Sequence, residues 1–349
     1  MSEEAPNPKS QAPGKLQIPN TKQATETVWD LELGASLRFG AWDLGFHGSR
    51  RSFLHVAALA ALASSVPAAA PARRVGLGFS LYGMKTLPVA EALRVCAEIG
   101  FHDVELALNA GFATEPQLLP PAQRKELRTQ LGGLGLRLAA LMDNFNLTAD
   151  DATHAKNLER IKDAAQLAHD LVPDAPPLLE TVMGGKPAEW EKVKAQMATR
   201  LADWARVAAA SKITLCIKPH VMAAAHLPEH GLWLLDQVKS PALKLAYDFS
   251  HYQLRGLDLG KTLDALLPHT AFIHVKDALG DAAKVQFALP GEGAIDYADY
   301  FRRLKAANWS GSVCVEVSSQ IFNKPGYDPV VAARKCYAAL APAFRTAGL

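Results

Sequence analysis

From Arg74 onward the chain alternates short apolar runs, rich in β-branched residues, with longer amphipathic stretches. This alternation is typical of repeated βα units, in which a buried strand is followed by a helix with one apolar face. The runs predict eight strands, at 75–82, 103–108, 136–142, 177–183, 213–218, 243–248, 271–276 and 312–317. The stretches predict eight helices, at 89–99, 126–132, 157–169, 189–210, 231–237, 259–267, 297–307 and 329–340.

Eight strands alternating with eight helices predict a single α/β domain over residues 73–349, folded as a (β/α)₈ TIM barrel. An open, doubly wound sheet would place a glycine-rich phosphate loop after its first strand. Gly76 and Gly78 instead fall inside that strand, which disfavours a dinucleotide-binding fold.

Polar residues stand at the carboxyl ends of five consecutive predicted strands. Parallel strands in a barrel bring these ends to one mouth, and side chains two positions apart share a face. One charged residue ending a strand is usually a solvated loop residue, but five consecutive cases predict a shared site. Its members are Glu180, Lys218 with His220, Asp248 with His251, His274 with Lys276 and Asp277, and Glu316.

The composition, with 49% hydrophobic and 21% charged residues, is that of a globular enzyme. The formal net charge is only +2, and lysines and arginines are interspersed with acidic residues. A polyanion-binding surface is therefore not expected, and nucleic acid is excluded as a partner.

The first seventy residues differ in composition from the rest. Residues 1–48 are predicted either to be disordered or to result from a start codon assigned too far upstream. Ser49 to Leu54 (SRRSFL) resembles a twin-arginine export motif, and an apolar stretch and small residues follow it, predicting a signal segment at 49–72. An amphipathic or tail-like helix is the alternative. We expect a periplasmic protein with no membrane association after signal cleavage.

The four cysteines show no CxxC spacing, so a zinc knuckle and a redox motif are not expected. Each is predicted to be a buried structural residue. Cys96 and Cys336 lie on the first and last predicted helices, which are neighbours in a closed ring, so a disulfide between them is the alternative.

Six short motifs resemble the xylose isomerase-like TIM barrel family, which includes sugar isomerases and epimerases, inosose dehydratases and endonuclease IV-like enzymes. The resemblance spans roughly residues 75–345. The motifs are GFSLYG (78–83), IGFHDVELAL (99–108), YDFSH (247–251), FIHVKD (272–277), LPGEGAID (289–296) and VEV (315–317).

The resemblance implies one divalent ion, Mn, Mg or Zn, held by Asp248, His274 and Glu316. Family epimerases add a Glu from the fifth strand, but Lys218 stands at that place here. His220, which we favour, would then complete the site; the alternatives are that Glu180 completes it or that the chain has no strong metal site at all. Such an ion would polarise a sugar carbonyl.

The resemblance also implies roles for the remaining residues. Glu316 would be both ligand and proton-transfer group, and His251 and Lys276 would contact the substrate, with Asp277 close by. Lys218 would either neutralise the buried carboxylates or act as an acid or base, and Glu180 would support catalysis. Aromatic residues near the mouth could form a sugar wall: Tyr82, Phe145, Trp190 and Tyr252.

The predicted function is that of a sugar isomerase or epimerase, working by metal-assisted proton transfer next to a carbonyl. A lyase or dehydratase acting on a keto-sugar or keto-inositol is one alternative, and a non-catalytic carbohydrate-binding barrel is another. An endonuclease is disfavoured, because the second and third strands lack the histidines it would need. The expected partner is a small sugar, and a homo-oligomer remains open.

Overall fold

The computed structural model describes residues 75–349. The segment predicted at 1–48 and the export signal predicted at 49–72 lie outside the described residues. Within the described range, no helix combines the length and the apolar character needed to cross a membrane.

Eight parallel strands close into a barrel in the order β1-β10-β7-β6-β5-β4-β3-β2. Closure occurs where β1 pairs with β10, with Val75 beside Gly311. This confirms the predicted (β/α)₈ barrel. The barrel strands are β1 (Val75–Ser80), β2 (Asp103–Ala107), β3 (Arg137–Met142), β4 (Leu178–Thr181), β5 (Leu215–Ile217), β6 (Leu243–Asp248), β7 (Thr270–Val275) and β10 (Gly311–Val315).

The helices connect the strands, and three of them, at 121–133, 151–171 and 228–238, begin earlier than predicted. Pro121 opens α2 at a position where a helix needs no backbone donor, and the Asp150 side chain caps α3 by accepting from the Thr153 amide. The helices are α1 (Val89–Ile99), α2 (Pro121–Gly133), α3 (Asp151–Leu171), α4 (Trp190–Ala210), α5 (Pro228–Val238), α6 (Phe249–Gln253), α7 (Leu259–Leu266), α8 (Tyr297–Ala306), α9 (Ser319–Phe322) and α10 (Pro329–Thr346).

Three short elements were not predicted, and each follows closely on a barrel strand. An antiparallel hairpin of β8 (Asp277–Gly280) and β9 (Val285–Ala288) follows β7, while α6 follows β6 and α9 follows β10. Each strand of the hairpin and each of the two helices has only four or five residues, too few for a hydrophobic period to be recognised. They extend the barrel beyond the carboxyl ends of its strands.

The barrel interior has an apolar floor beneath a polar layer. The floor is a cluster of buried residues, Ala140, Cys216, Ala246, Phe272 and Cys314. Successive side chains on a strand alternate in direction, so the residue two positions later faces the same way. For the last four floor residues, those are Lys218, Asp248, His274 and Glu316. The strand alternation therefore places the predicted polar residues inside the barrel, at its mouth.

All four cysteines are buried free thiols. Cys96 and Cys336 are both fully buried in the main hydrophobic core, and the Cys96 Sγ lies 4.0 Å from the Met84 Sδ. The alternative of a Cys96–Cys336 disulfide was therefore wrong. Two cysteines on neighbouring helices do not form a disulfide when each thiol packs separately into the apolar core.

Candidate functional site

Two lysines and four carboxylates converge in the polar layer at the barrel mouth. Lys218 follows β5, and its ammonium donates to His274 Nδ1 at 2.8 Å and to Glu316 Oε2 at 3.1 Å. The same Nζ lies 3.2 Å from Glu180 Oε1. The structure thus brings together predicted site residues from four separate strands. Lys218 is fully buried at their centre.

Lys276 provides the second ammonium. Its Nζ donates to Asp248 Oδ2 and, at 2.6 Å, to Glu316 Oε2. The ammonium also lies 5.0 Å from the centre of the Phe287 ring, a cation–π distance. Glu316 Oε2 therefore accepts hydrogen bonds from both lysines.

The two ammoniums determine the charge state of Glu316. Burial by itself would raise the pKa of this carboxyl group, but Lys218 and Lys276 outweigh burial and hold the pKa well below its ordinary value. Glu316 is consequently an ionised carboxylate at neutral pH. Glu180 shows the opposite balance: burial raises its pKa, and Lys218 opposes that rise only in part.

His274 is oriented by a carboxylate that the sequence analysis missed. Its Nε2 lies 3.0 Å from Glu105 Oε2, while its Nδ1 faces the Lys218 ammonium. An ammonium can only donate, so Nδ1 accepts and the imidazole proton is assigned to Nε2, which donates to Glu105. Glu105 is fully buried in β2. A charged residue inside the apolar run DVELA was the available signal, because a buried carboxylate requires a partner.

His220 and His251 form an uncharged pair beside the lysines. Their ring centroids are 4.1 Å apart, and His251 Nε2 lies 3.5 Å from Asp248 Oδ2. Burial, reinforced by the nearby Lys276, lowers the pKa of His220 to about 3. Burial and His220 lower the pKa of His251 well below its ordinary value. Both imidazoles are neutral at pH 7.

A polar pocket of about 280 Å³ opens at the mouth above the cluster. This is near the lower end of the range of small-molecule sites, about 300–1,000 Å³, and suits a ligand of monosaccharide size. Among the predicted site residues of the described chain, only His220, Lys276 and Glu316 line it. The remaining lining residues include Tyr82, Asn144, Met222, Phe287, Ser318, Ser319 and Gln320.

Other predicted residues lie beneath the pocket surface. Glu180, Lys218 and His251 are fully buried, and none of them lines the pocket. The expectation that His251 contacts the substrate is therefore corrected: this residue packs against His220 and, at 5.3 Å between ring centroids, against Phe287. These groups can act on a ligand only through the residues that line the pocket.

Two glycines after β4 form part of the pocket wall. Gly184 and Gly185 have φ angles of 72° and 74°, in the left-handed region that favours glycine. A Cβ atom on Gly184 would lie 2.1 Å from Asn146 Oδ1, and one on Gly185 would lie 2.7 Å from the Ala224 Cβ. A side chain at either position would disturb the loops around the pocket.

Two further acidic residues have structural roles. Asp277 Oδ2 accepts from the amides of Gly291 and Gly293 at 2.7 and 2.9 Å, which fixes the loop containing the LPGEGAID motif. Asp296 accepts from the Asp299 amide and caps α8.

Of the four predicted aromatic residues, only Tyr82 lines the pocket. The ring of Phe145 packs against Trp204 at 5.4 Å, that of Trp190 against His230 at 4.0 Å, and that of Tyr252 against Tyr247 at 5.6 Å. The expectation that these three form a sugar wall was wrong, because their rings fill the core and the contacts between helices.

A larger cavity, of about 540 Å³, lies at the opposite end of the barrel. It is lined by residues at the amino ends of strands, such as Arg137, Leu178 and Ser312, and by none of the titratable cluster. TIM barrels carry their active sites at the carboxyl ends of the strands, so the smaller pocket is the candidate active site.

The predicted metal ligands converge, but other cations already contact them. Ligand atoms of Asp248, His274 and Glu316 all lie within 4.8 Å of one another, and His220 is not part of this group. Lys276 donates to Asp248 and Glu316, and Lys218 donates to His274 and Glu316. All three residues thus accept hydrogen bonds from ammoniums, so the donor set as arranged here does not fit a divalent ion.

A family model described as "Xylose isomerase-like TIM barrel" matches residues 93–337. No curated protein matches the sequence at a significant level. One similar solved structure is a fusion of a xylose isomerase-like TIM barrel with a 4-hydroxyphenylpyruvate dioxygenase. Its sequence is 16% identical to this chain, and the TM-score is 0.64. The match covers 79% of this chain, and the chain spans 43% of that fusion protein.

Three smaller proteins share the fold over most of their length. 3-Keto-D-glucoside 4-epimerase YcjR from E. coli is 16% identical over 77% of this chain and 99% of its own, with a TM-score of 0.60. The probable 3-DHS dehydratase AsbF from Bacillus anthracis is 17% identical over 76% of this chain and 98% of its own, with a TM-score of 0.62. The IOLI protein, solved with a bound zinc atom, is 16% identical over 78% of this chain and 98% of its own, with a TM-score of 0.65. At these identities the likeness shows the fold alone.

Proposed function

Because this chain belongs to the xylose isomerase-like TIM barrel family, we propose that it is an enzyme that isomerises or epimerises a sugar or keto-sugar by moving a proton next to a carbonyl. Structural relatives named as an epimerase and a probable dehydratase support this class. The observation that carries the proposal is the pair formed by Glu316 and Lys276: a carboxylate and an ammonium that bond to each other at 2.6 Å and both line the mouth pocket.

The two groups have complementary tasks. Lys276 donates to the carbonyl oxygen of a bound keto-sugar and stabilises the negative charge that develops there as an enediolate forms. Glu316 is ionised at neutral pH and accepts the proton from the adjacent carbon. Its low pKa makes it a weak base, so the stabilisation by Lys276 is needed to make the carbon acid strong enough. Lys218, beneath the surface, keeps Glu316 charged.

A neutral histidine forms another part of the pocket wall. His220 Nδ1 accepts from the Met222 amide at 3.2 Å, so its proton is assigned to Nε2. This N–H can donate to a sugar hydroxyl. Tyr82, Asn144 and the serines after β10 add further hydrogen-bonding groups of the kind that bind a polyol.

One observation favours an elimination as the second candidate. Among the pocket-lining residues of the described chain, Glu316 is the single carboxylate, whereas epimerisation requires a second proton-transfer group on the other face of the substrate. A lyase can use one base and a donor such as His220 to help a hydroxyl group depart. A keto-sugar or keto-inositol dehydratase would therefore use the same pocket.

The test is incubation of the purified protein with a panel of keto-sugars and keto-inositols in deuterated water, followed by NMR and mass spectrometry. We expect deuterium at the carbon next to the carbonyl, together with an epimeric or isomeric product. Deuterium uptake with loss of water would identify the dehydratase instead. Saturable sugar binding without exchange for any compound would contradict the proposal and would indicate a non-catalytic binding barrel.

A further inference from the structure

We propose that the ammoniums of Lys218 and Lys276 take the place of a divalent cation in this barrel, so that the pocket works without a bound metal ion. The inference concerns the site of the proposed function, but it rests on contacts and charges that hold whether or not that function is correct.

Lys218 occupies the position that an ion bound to His274 would need. Its Nζ lies 2.8 Å from His274 Nδ1, while the other imidazole nitrogen faces Glu105. A zinc ion would bind the same Nδ1 lone pair at about 2.0–2.1 Å. The ammonium already donates a hydrogen bond to that lone pair, so the ion and the ammonium cannot occupy the position together.

Lys276 contacts the other two members of the ligand group. It donates to Asp248 Oδ2 and to Glu316 Oε2, and Lys218 donates to Glu316 Oε2 as well. Each of the three converging residues therefore accepts a hydrogen bond from an ammonium. Both lysines are buried, at 1% and 2% exposure, so neither can swing freely into solvent.

The two lysines also supply positive charge to a group of buried carboxylates. Four buried or nearly buried carboxylates surround the two lysines: Glu105, Glu180, Asp248 and Glu316, the last with a side-chain exposure of 12%. Carboxylates in such an environment require compensating positive charge. Two ammoniums supply two positive charges, the same as one divalent ion. An added ion would also be repelled by two ammoniums within a few ångströms.

The catalytic consequence is that Lys276 supplies the positive charge next to the substrate carbonyl. Lys276 lines the pocket, whereas Lys218 is buried and does not line it. Lys218 is a positioning residue, because it donates hydrogen bonds to His274 and Glu316 and holds both side chains in place.

Metal content of the full-length protein is the primary test. After purification without chelators or added metal, elemental analysis is expected to find less than about 0.1 divalent ion per chain, and titration with Mn²⁺ or Zn²⁺ should show no site that Asp248→Asn removes. One bound ion per chain that disappears in Asp248→Asn would overturn the proposal. This measurement needs no activity, so it is independent of the deuterium-exchange experiment.

Lys218→Glu provides a gain-of-binding test. The substitution changes the local charge by −2 and places a carboxylate beside the three converging ligands, so one divalent ion should restore the balance. We expect Mn²⁺ or Zn²⁺ to bind this variant at one ion per chain, at least tenfold more tightly than the wild type, and the double variant with Asp248→Asn to lose the ion. Lys284→Glu, the same change at an exposed hairpin position, is the matched control.

A folded Lys218→Glu protein that binds ions no better than Lys284→Glu would show that Lys218 does not stand in an ion's place. Circular dichroism and thermal melting establish that the variant is folded. If it does not fold, the wild-type metal measurement still decides the question.

Discussion

Lys218 and His274 meet at the barrel mouth, with the lysine Nζ 2.8 Å from the histidine Nδ1. The contact joins the end of β5 to β7, two strands that are not adjacent in the barrel, and it turns the remaining imidazole N–H toward Glu105. A cation is thus built into the site by the chain itself.

Glu316→Gln should abolish deuterium uptake into the substrate. The amide cannot accept the proton, and general-base catalysis contributes roughly 10²–10⁴-fold, so we expect a fall of that size in the exchange rate. NMR in deuterated water measures it directly. Glu292→Gln, the same change at an exposed carboxylate, should leave the rate unchanged. An exchange rate within twofold of wild type in Glu316→Gln would exclude this residue as the base.

Lys276→Met should lower kcat more than it raises KM. The ammonium stabilises charge that develops in the transition state, and removal of one such donor costs roughly 10²–10³-fold in kcat. Steady-state kinetics with the substrate found in the exchange panel measures both constants. Lys284→Met is the control, because Lys284 is exposed in the hairpin turn. A pure KM effect would mean that Lys276 only binds the substrate.

His220 should make the protein less stable in mild acid. Its native pKa is about 3 against an ordinary value of 6.5, so between these values the unfolded chain binds more protons than the folded one. The contribution of neutral His220 to the free energy of unfolding is complete above pH 6.5 and is lost as the pH falls toward 3. Between pH 7 and pH 5 this loss is about 2 kcal/mol.

Urea unfolding at pH 7 and at pH 5 tests this. His220→Gln should lose about 2 kcal/mol less than wild type over the same pH interval. His269→Gln, at an exposed position, should behave like wild type. Equal losses in all three proteins would show that His220 is protonated in the native state.

The four thiols should be free and protected. Burial raises the pKa of Cys96, Cys216, Cys314 and Cys336, so the native protein should react slowly with a thiol reagent at pH 8. In denaturant without reductant, four thiols per chain should react. A count of two would indicate a disulfide and would contradict the structure. Thermal melting should be the same with and without reductant.

We also propose that the protein is exported through its twin-arginine-type motif. Replacing Arg50 and Arg51 with lysine should keep the protein in the cytoplasm, because the pair is the recognised feature of such signals. Fractionation of cells that possess this export pathway, with immunoblotting, measures the distribution. Arg38→Lys serves as the control. Equal amounts in the periplasm with and without the arginine pair would refute the proposal.

The sequence by itself determined the barrel and most of its polar layer. Strand alternation is a local property, so Lys218, Asp248, His274 and Glu316 could be placed at strand ends from the pattern alone, and the closed structure confirms that they converge. The length and period of each βα unit likewise fixed the fold class.

Tertiary structure alone decided which partner each of these residues has. Glu105 was overlooked because it lies within an apolar run, and its partner His274 is 169 residues away along the chain. The hairpin and the two short helices at the mouth lack a recognisable period, so the pocket wall could not be assigned, and three aromatic residues near the strand ends turned inward to the core. Two ammoniums contact the predicted metal ligands, and these contacts depend on distances across the barrel. Ring closure sets those distances, and no local sequence pattern encodes it.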